Sequence, residues 1–246
     1  MKTIVAETQS ANTRSRALLE RLGFTMVRQL ERFGAMQCVY EKANRLSNEV
    51  RYNPVTACWR DVTMEHIKKL IGQKIYLSPL QAEDAPQLCR WRNDLSLTQQ
   101  LGSPTQLSGV ESEVERIRQY NSGEEHHFGI FSLEDDTMLG YCGIRDFNWL
   151  HQSARVGIFI GDTKNQGKGY GTEAMVLLVG FGFDYLNMHS ISLSVLDFNE
   201  RAIASYKKIG FREYGRRHES YRLHGKWHDW IEMEILEQWW RERTEA

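Results

Sequence analysis

At 246 residues the chain is long for one domain and short for two full ones, which predicts one domain with an appendage. Apolar residues make up 41% and charged residues 26%, the balance of a globular protein with a core of its own. A net charge of −1 supplies no global field, so neither nucleic acid nor a membrane is expected as a partner, and any anion site must be local. The longest apolar run, residues 175–183, stops at Asp184, well short of the ~20 residues a membrane span needs. The first residues turn polar at Glu7, too early for a secretory signal. Cys38, Cys58, Cys89 and Cys142 are scattered without a C-x-x-C pair and read as reduced, buried thiols of a cytoplasmic protein.

In chain order, "KTIVAET" predicts a strand, "NTRSRALLERLGF" a helix with its stop, and the charged sequence up to "QCVYEK" two further strands. Residues 45–62 lack periodicity and are expected to be a connector; residues 63–72 predict a helix ending at Gly72. A strand follows at 74–80, then a helix over 82–94 with Leu88, Cys89 and Trp91 on its apolar side, and an amphipathic helix over 109–120. Three strands are expected at 127–133, 138–147 and 154–162, the first two joined by the acidic turn "EDD". A long helix from about 169 to 187 carries Ala174, Leu177, Leu178, Phe181 and Tyr185 on one face.

"SISLSVL", "NERAIASYKKIGF" and a hairpin turning at "LHGKW" then repeat the opening pattern. At an offset of 187 residues Asn12 meets Asn199, Arg14 meets Arg201, Ala17 meets Ala204, Gly23 meets Gly210 and Phe24 meets Phe211, while Leu19 meets Tyr206. Both copies predict strand–helix–strand–strand. From Lys74 onward the order β-α-α-β-β-β-α-β-α-β-β describes an α/β (α+β) chain built on a mixed sheet.

"FIGDTKNQGKGYGTEA" joins a strand to the long helix through Gly167, Gly169 and Gly171. Glycines let a backbone turn tightly and aim its amides over a helix N-terminus, the construction of a phosphate site. The nucleoside-triphosphate pattern fails here, since five residues separate Gly161 from Gly167 and Gly169 follows Lys168. The segment Gly169-Tyr-Gly171-Thr-Glu-Ala174 meets a loose dinucleotide pattern, with Asp197 where a ribose-binding acid could stand, but it does not spring directly from its strand.

The third pattern is Gln166-x-x-Gly169-x-Gly171 followed by Asn199, Tyr206 and Gly210-Phe211. With these motifs the sequence over residues 74–240 resembles the GNAT acyltransferase superfamily, notably its spermidine, amino-sugar-nucleotide and ribosomal-protein N-terminal acetyltransferase branches. The resemblance implies the GNAT acyl-CoA N-acyltransferase fold, a mixed and mostly antiparallel sheet flanked by helices. It implies acetyl-CoA as co-substrate, a primary amine (polyamine, amino sugar or peptide N-terminus) as acceptor, and direct transfer in a ternary complex without a metal. It implies that Gln166, Gly167, Lys168, Gly169, Tyr170, Gly171 and Thr172 hold the diphosphate, that Ile158 and Ile160 pair with the pantetheine arm, and that Asn199, Ala202 and Tyr206 complete the cofactor site.

Tyr206 is the expected proton donor to the departing thiolate, since a phenol is protonated at neutral pH. Where related enzymes often carry a glutamate, this chain has Arg155, so the base is sought among Asp146, Glu219 and His151. His224 and His228 share H-x-x-x-H spacing but lack a third ligand, and no metal is expected. A non-catalytic acyl-CoA-binding module and a dinucleotide oxidoreductase remain alternatives.

The opening segment resembles the tail of a second GNAT domain, in the branch where a serine at the place of Ser15 can replace the tyrosine. The expected organisation is a partial GNAT-like β-α-β-β segment at 1–44, a linker with a short helix at 45–72, a complete domain at 73–240 and a tail at 241–246. A lone unit of this kind leaves a sheet edge unpaired, so it is expected to dock in cis or on a second copy, giving a homodimer.

Overall fold

The computed structural model describes residues 3–32, 35–43, 65–123 and 125–244, so the connector expected at 45–62, with Cys58, lies outside the described residues. Two compact units divide the chain, Met1–Thr63 and Met64–Ala246.

The first unit runs β1 (Thr3–Gln9), α1 (Thr13–Arg21), β2 (Thr25–Arg32) and β3 (Ala35–Ala43). Asn12 opens α1 by accepting the Ser15 amide at 3.0 Å, and Gly23, at φ 79°, takes the left-handed conformation that lets the chain leave the helix. The strands form an antiparallel sheet in the order β1-β3-β2. Cys38, Val39 and Tyr40 are buried on β3. The Tyr40 hydroxyl donates to Glu20 at 3.2 Å and accepts from Arg16 at 3.3 Å, which ties the helix to the sheet.

The second unit is built on eight strands: β4 (Leu70–Ile71), β5 (Ile75–Pro79), β6 (His126–Ser132), β7 (Met138–Asn148), β8 (Ser153–Ile160), β9 (Ser190–Leu196), β10 (Arg212–Leu223) and β11 (Lys226–Leu236). Their order is β10-β11-β9-β8-β7-β6-β5-β4, antiparallel throughout except between β8 and β9. The helices are α2 (Ala85–Arg92), α3 (Leu95–Gln100), α4 (Val110–Tyr120), α5 (Tyr170–Asp184), α6 (Glu200–Ile209) and α7 (Glu237–Thr244).

Strand alternation sends two apolar faces to two cores. Ile144 and Val156 join Ile191, Leu193, Ile231 and Met233 against Ala174, Leu178 and Phe183 of α5, with α6 packed alongside. On the other face Phe159 meets Leu88, Trp91, Leu97 and Ile117 from α2 to α4.

The repeat noticed in the sequence recurs in three dimensions. The segment β9-α6-β10-β11 has the same connectivity and strand order as β1-α1-β2-β3. Asn199 caps α6 by accepting the Ala202 amide at 3.3 Å, and Gly210 sits at φ 115°. Even the ladder irregularity returns: the register slips between Met26 and Arg28 in one copy and between Glu213 and Gly215 in the other, again 187 residues apart.

Several expectations are corrected. Within the helix expected at 63–72 the described residues are not helical; Leu70–Ile71 instead pair with Leu77 and Tyr76, because the open edge of β5 offers backbone partners. The long helix ends at Asp184, and its buried face is Ala174, Met175, Leu178, Val179, Gly182 and Phe183, whereas Tyr185 is exposed. Strands β5, β7 and β8 face this helix together with α6, which shifts and widens its apolar face. Cys89 is only half-buried. Residues 241–244, expected as tail, continue α7, on which Trp240 is buried beside Phe183 and Trp239 lies under the Arg212 guanidinium at 3.9 Å. The short helix α3 was not anticipated; its signal was Asp94, whose carboxylate caps Ser96 at 2.8 Å.

Candidate active site

The parallel pairing of β8 with β9 holds for Ser153–Ser190, Ala154–Ile191 and Arg155–Ser192, and then stops. The five residues of β8 from Val156 to Ile160, about 16 Å at the usual strand rise, continue without that neighbour. Gly161 donates to the Leu139 carbonyl at 3.0 Å, and Gly140 stands opposite Ile160. Antiparallel alternation therefore turns the amides of Ile158 and Ile160 away from β7 and into the gap. The Ile160 carbonyl on the same side accepts the Gln166 side-chain amide at 3.1 Å. A cavity of about 640 Å³ fills the fork, bounded by both strands, the glycine loop, α6 and α3.

At the open end of β8 the loop is anchored by Trp91. A Cβ on Gly161 would lie 1.9 Å from the indole, whose Nε1 donates to Asp162 at 3.1 Å. Gly167 and Gly169 stand at φ 77° and 90° with open space over both, so their left-handed backbone is reachable from the cavity. Gly169 is the N-cap of α5, and the amides of Tyr170, Gly171 and Thr172 open the first turn without helical acceptors. Glu173 in this turn would oppose an anion, but its carboxylate is turned aside to the backbone amides of Gln73 and Lys74.

On the α6 side, the hydroxyls of Thr172 and Ser205 meet at 2.7 Å and fix the start of α5 to the middle of α6. Tyr206 lines the cavity half-buried, its ring 5.9 Å from that of Phe211, and its hydroxyl makes no hydrogen bond among the described residues. Burial pushes its phenol up to about 12.

The opposite face of the fork is polar. Arg155 donates to the Ser194 hydroxyl and, at 3.3 Å, to Glu232; Ser194 donates to Glu232 at 2.7 Å; Arg217 donates to the other oxygen of Glu232 at 2.9 Å. Desolvation would raise the Glu232 carboxyl, but the Ser194 hydroxyl and the two guanidiniums outweigh it and hold the group below its ordinary value. Glu232 is thus an ionised anchor and is poorly suited to be a base. Arg217 also lies 5.7 Å from the Trp230 ring, itself packed on Gly102 where a Cβ would be 2.4 Å from the indole.

Of the expected cofactor residues, Ile158, Ile160, Gln166, Gly167, Gly169, Tyr170, Gly171, Thr172, Asn199, Ala202 and Tyr206 all line this one cavity. Lys168 is exposed and lies outside the lining. The candidate bases are not brought together with Tyr206. Asp146 sits at a register slip at φ 54° and pairs with Arg145 at 2.7 Å. Glu219 stands at φ 47° in the β10 irregularity, its amide on Asp229 at 2.8 Å, and His151 is exposed in the turn before β8.

Among the described residues no Asp, Glu or His lines the cavity, and no cluster of three such groups or cysteines is placed to hold a metal. His228 hydrogen-bonds to Asp197 at 3.1 Å. Sequence reasoning missed Arg145, Ser194, Ser205, Arg217 and Trp230 in the lining, since nothing local distinguishes them from surface positions.

This geometry has known counterparts. Residues 74–212 match the family model of the acetyltransferase (GNAT) domain. The chain is 30% identical over 175 residues to Probable N-acetyltransferase YjcK of Bacillus subtilis (strain 168), covering 68% of this chain and 96% of that protein. It is 31% identical over 117 residues to the spermidine N(1)-acetyltransferase of Vibrio cholerae, covering 47% of this chain and 67% of that one. The crystal structure of the Vibrio cholerae spermidine N-acetyltransferase in complex with CoA and spermine superposes with a TM-score of 0.63 at 23% identity, over 69% of this chain and 99% of that one. The chain belongs to the GNAT acetyltransferase family and is an N-acetyltransferase with the GNAT fold. No helix of the described residues is long and apolar enough to cross a membrane.

Proposed function

We propose that this chain moves an acetyl group from acetyl-CoA to a primary amine by direct transfer, with both substrates bound at the fork between β8 and β9. The observation that carries this reading is the pair of amides, Ile158 and Ile160, unpaired among the described residues and facing a cavity that also holds Tyr206 and opens on the glycine loop. Acetyl-CoA supplies an activated thioester.

The chain supplies the rest. The amides from Gly167 to Thr172 hold the diphosphate at the N-terminus of α5. Ile158 and Ile160 orient the pantetheine arm as an added strand would be oriented. A β8 amide in the gap stabilises charge developing on the carbonyl oxygen. Tyr206 faces the departing sulfur. Its phenol, near 12, is a weaker acid than a thiol near ~8.5. It therefore stabilises the thiolate as a hydrogen-bond donor and remains protonated at the end of the step. With no Asp, Glu or His in the lining among the described residues, the amine loses its proton to water.

Initial rates of thiol release with both substrates varied test this reading. Intersecting double-reciprocal lines are expected; parallel lines, or acetyl transfer to the protein without acceptor, would refute direct transfer.

A further inference from the structure

The cavity lining contains five cations, Arg145, Arg155, Arg201, Lys208 and Arg217, and no carboxylate among the described residues. They divide between helix α6 and the strands of the sheet. Arg201 and Lys208 belong to α6, four residues before and three after Ser205, which touches the first turn of α5, and Arg201 donates to the Gln100 side chain of α3 at 3.3 Å.

The other three lie on the strand face turned away from α5. Arg145 and Arg155 are directly paired across β7 and β8, alternating with Ile144 and Val156, which enter the core under α5. Arg217 is paired with Trp230, alternating with Ile231 of the same core. Both Arg155 and Arg217 converge on Glu232, whose side chain is only 13% exposed.

Two guanidiniums on one carboxylate leave a positive excess. The contacts of Arg155 all run from one Nη and the hydrogen bond of Arg217 from Nε, so further donors on each fork are uncommitted among the described residues. The Ser194 hydroxyl and Glu232 hold these forks in place, which lowers the entropy cost of using them. A polyamine would bring more positive charge to this excess. An oxyanion would find planar, pre-positioned donors.

We propose that the amine acceptor carries an oxyanion, a carboxylate or a phosphate, seated on Arg155 and Arg217 across the fork from Tyr206. The proposal rests on the acetyltransferase reading and specifies its substrate class. In it the diphosphate of the co-substrate uses the loop and α6, and the charge on the acceptor uses the β-strand arginines.

The test is a matched series of primary amines of equal chain length, ending in carboxylate, phosphate, hydroxyl or a second amine, with thiol release measured on the full chain. The carboxylate or phosphate amine is expected to exceed the hydroxyl amine in kcat/KM by about tenfold or more, with the diamine lowest; the two anionic arms tell which oxyanion is preferred. The advantage should shrink as salt rises. Arg217→Gln should bring the anionic-to-hydroxyl ratio toward one. A diamine that equals or exceeds the anionic amines overturns the proposal while leaving the acetyltransferase reading intact. Absence of thiol release with every amine, in a protein that folds, overturns both.

Discussion

Arg155 and Glu232 meet across β9, guanidinium nitrogen 3.3 Å from carboxylate oxygen, with the Ser194 hydroxyl 2.7 Å from that same oxygen. Three strands are thereby joined at the point where the sheet begins to part. Because folding depresses the Glu232 pKa, this carboxylate stabilises the native state above its unfolded value of ~4.3. That stabilisation is lost as pH falls through the folded value. Glu232→Gln should cost about 1 kcal/mol at neutral pH, a modest figure because water screens the half-exposed Arg217. Thermal melts from neutral to acid pH should show the gap to wild type closing below pH ~4. A gap independent of pH would show that the charge contributes nothing.

Tyr206→Phe should lower kcat by about 10²-fold and change the CoA dissociation constant by no more than about twofold. The raised phenol pKa keeps the hydroxyl protonated throughout the accessible alkaline range, so its ionisation should impose no falling limb there. With the amine deprotonating in water, kcat/KM should climb with pH toward the acceptor's own pKa, ~10 for an alkylamine. Stopped assays across that range check both points. Loss of CoA binding in the variant would make Tyr206 a packing residue.

Gly169→Ala should weaken CoA binding by about tenfold, since a left-handed non-glycine residue costs about 1–2 kcal/mol and the loop would relax away from φ 90°. Gly180→Ala, at a helical position where a Cβ meets nothing nearer than 3.6 Å, is the control. It should leave affinity intact and stabilise α5 slightly. Calorimetric titration with CoA separates the two, and equal affinity in both variants would remove the loop from the binding site.

What could be read from the sequence was local. The turn from Gln166 to Thr172, the capping Asn199 and the doubled strand–helix–strand–strand pattern are each set by residues within a few positions of one another, where glycine conformation, capping and alternation act directly. The expected helix at 63–72 failed for the complementary reason: a helix of that length is marginal by itself, and the edge of β5 paired Leu70–Ile71 instead. Helix α3, which supplies Leu97 and Gln100 to the cavity, was too short to show a period.

The acceptor face was illegible for a different reason. Arg155 meets Ser194 at 39 residues' separation and Glu232 at 77, and a lone arginine in a strand reads the same whether it faces water or a partner. The sequence by itself determined the glycine turn before α5 and the phenol on α6, because short-range backbone preferences set both. Only the tertiary structure decided that β8 and β9 part after Arg155 and which charges gather in the opening, because those outcomes depend on strand order and long-range pairing.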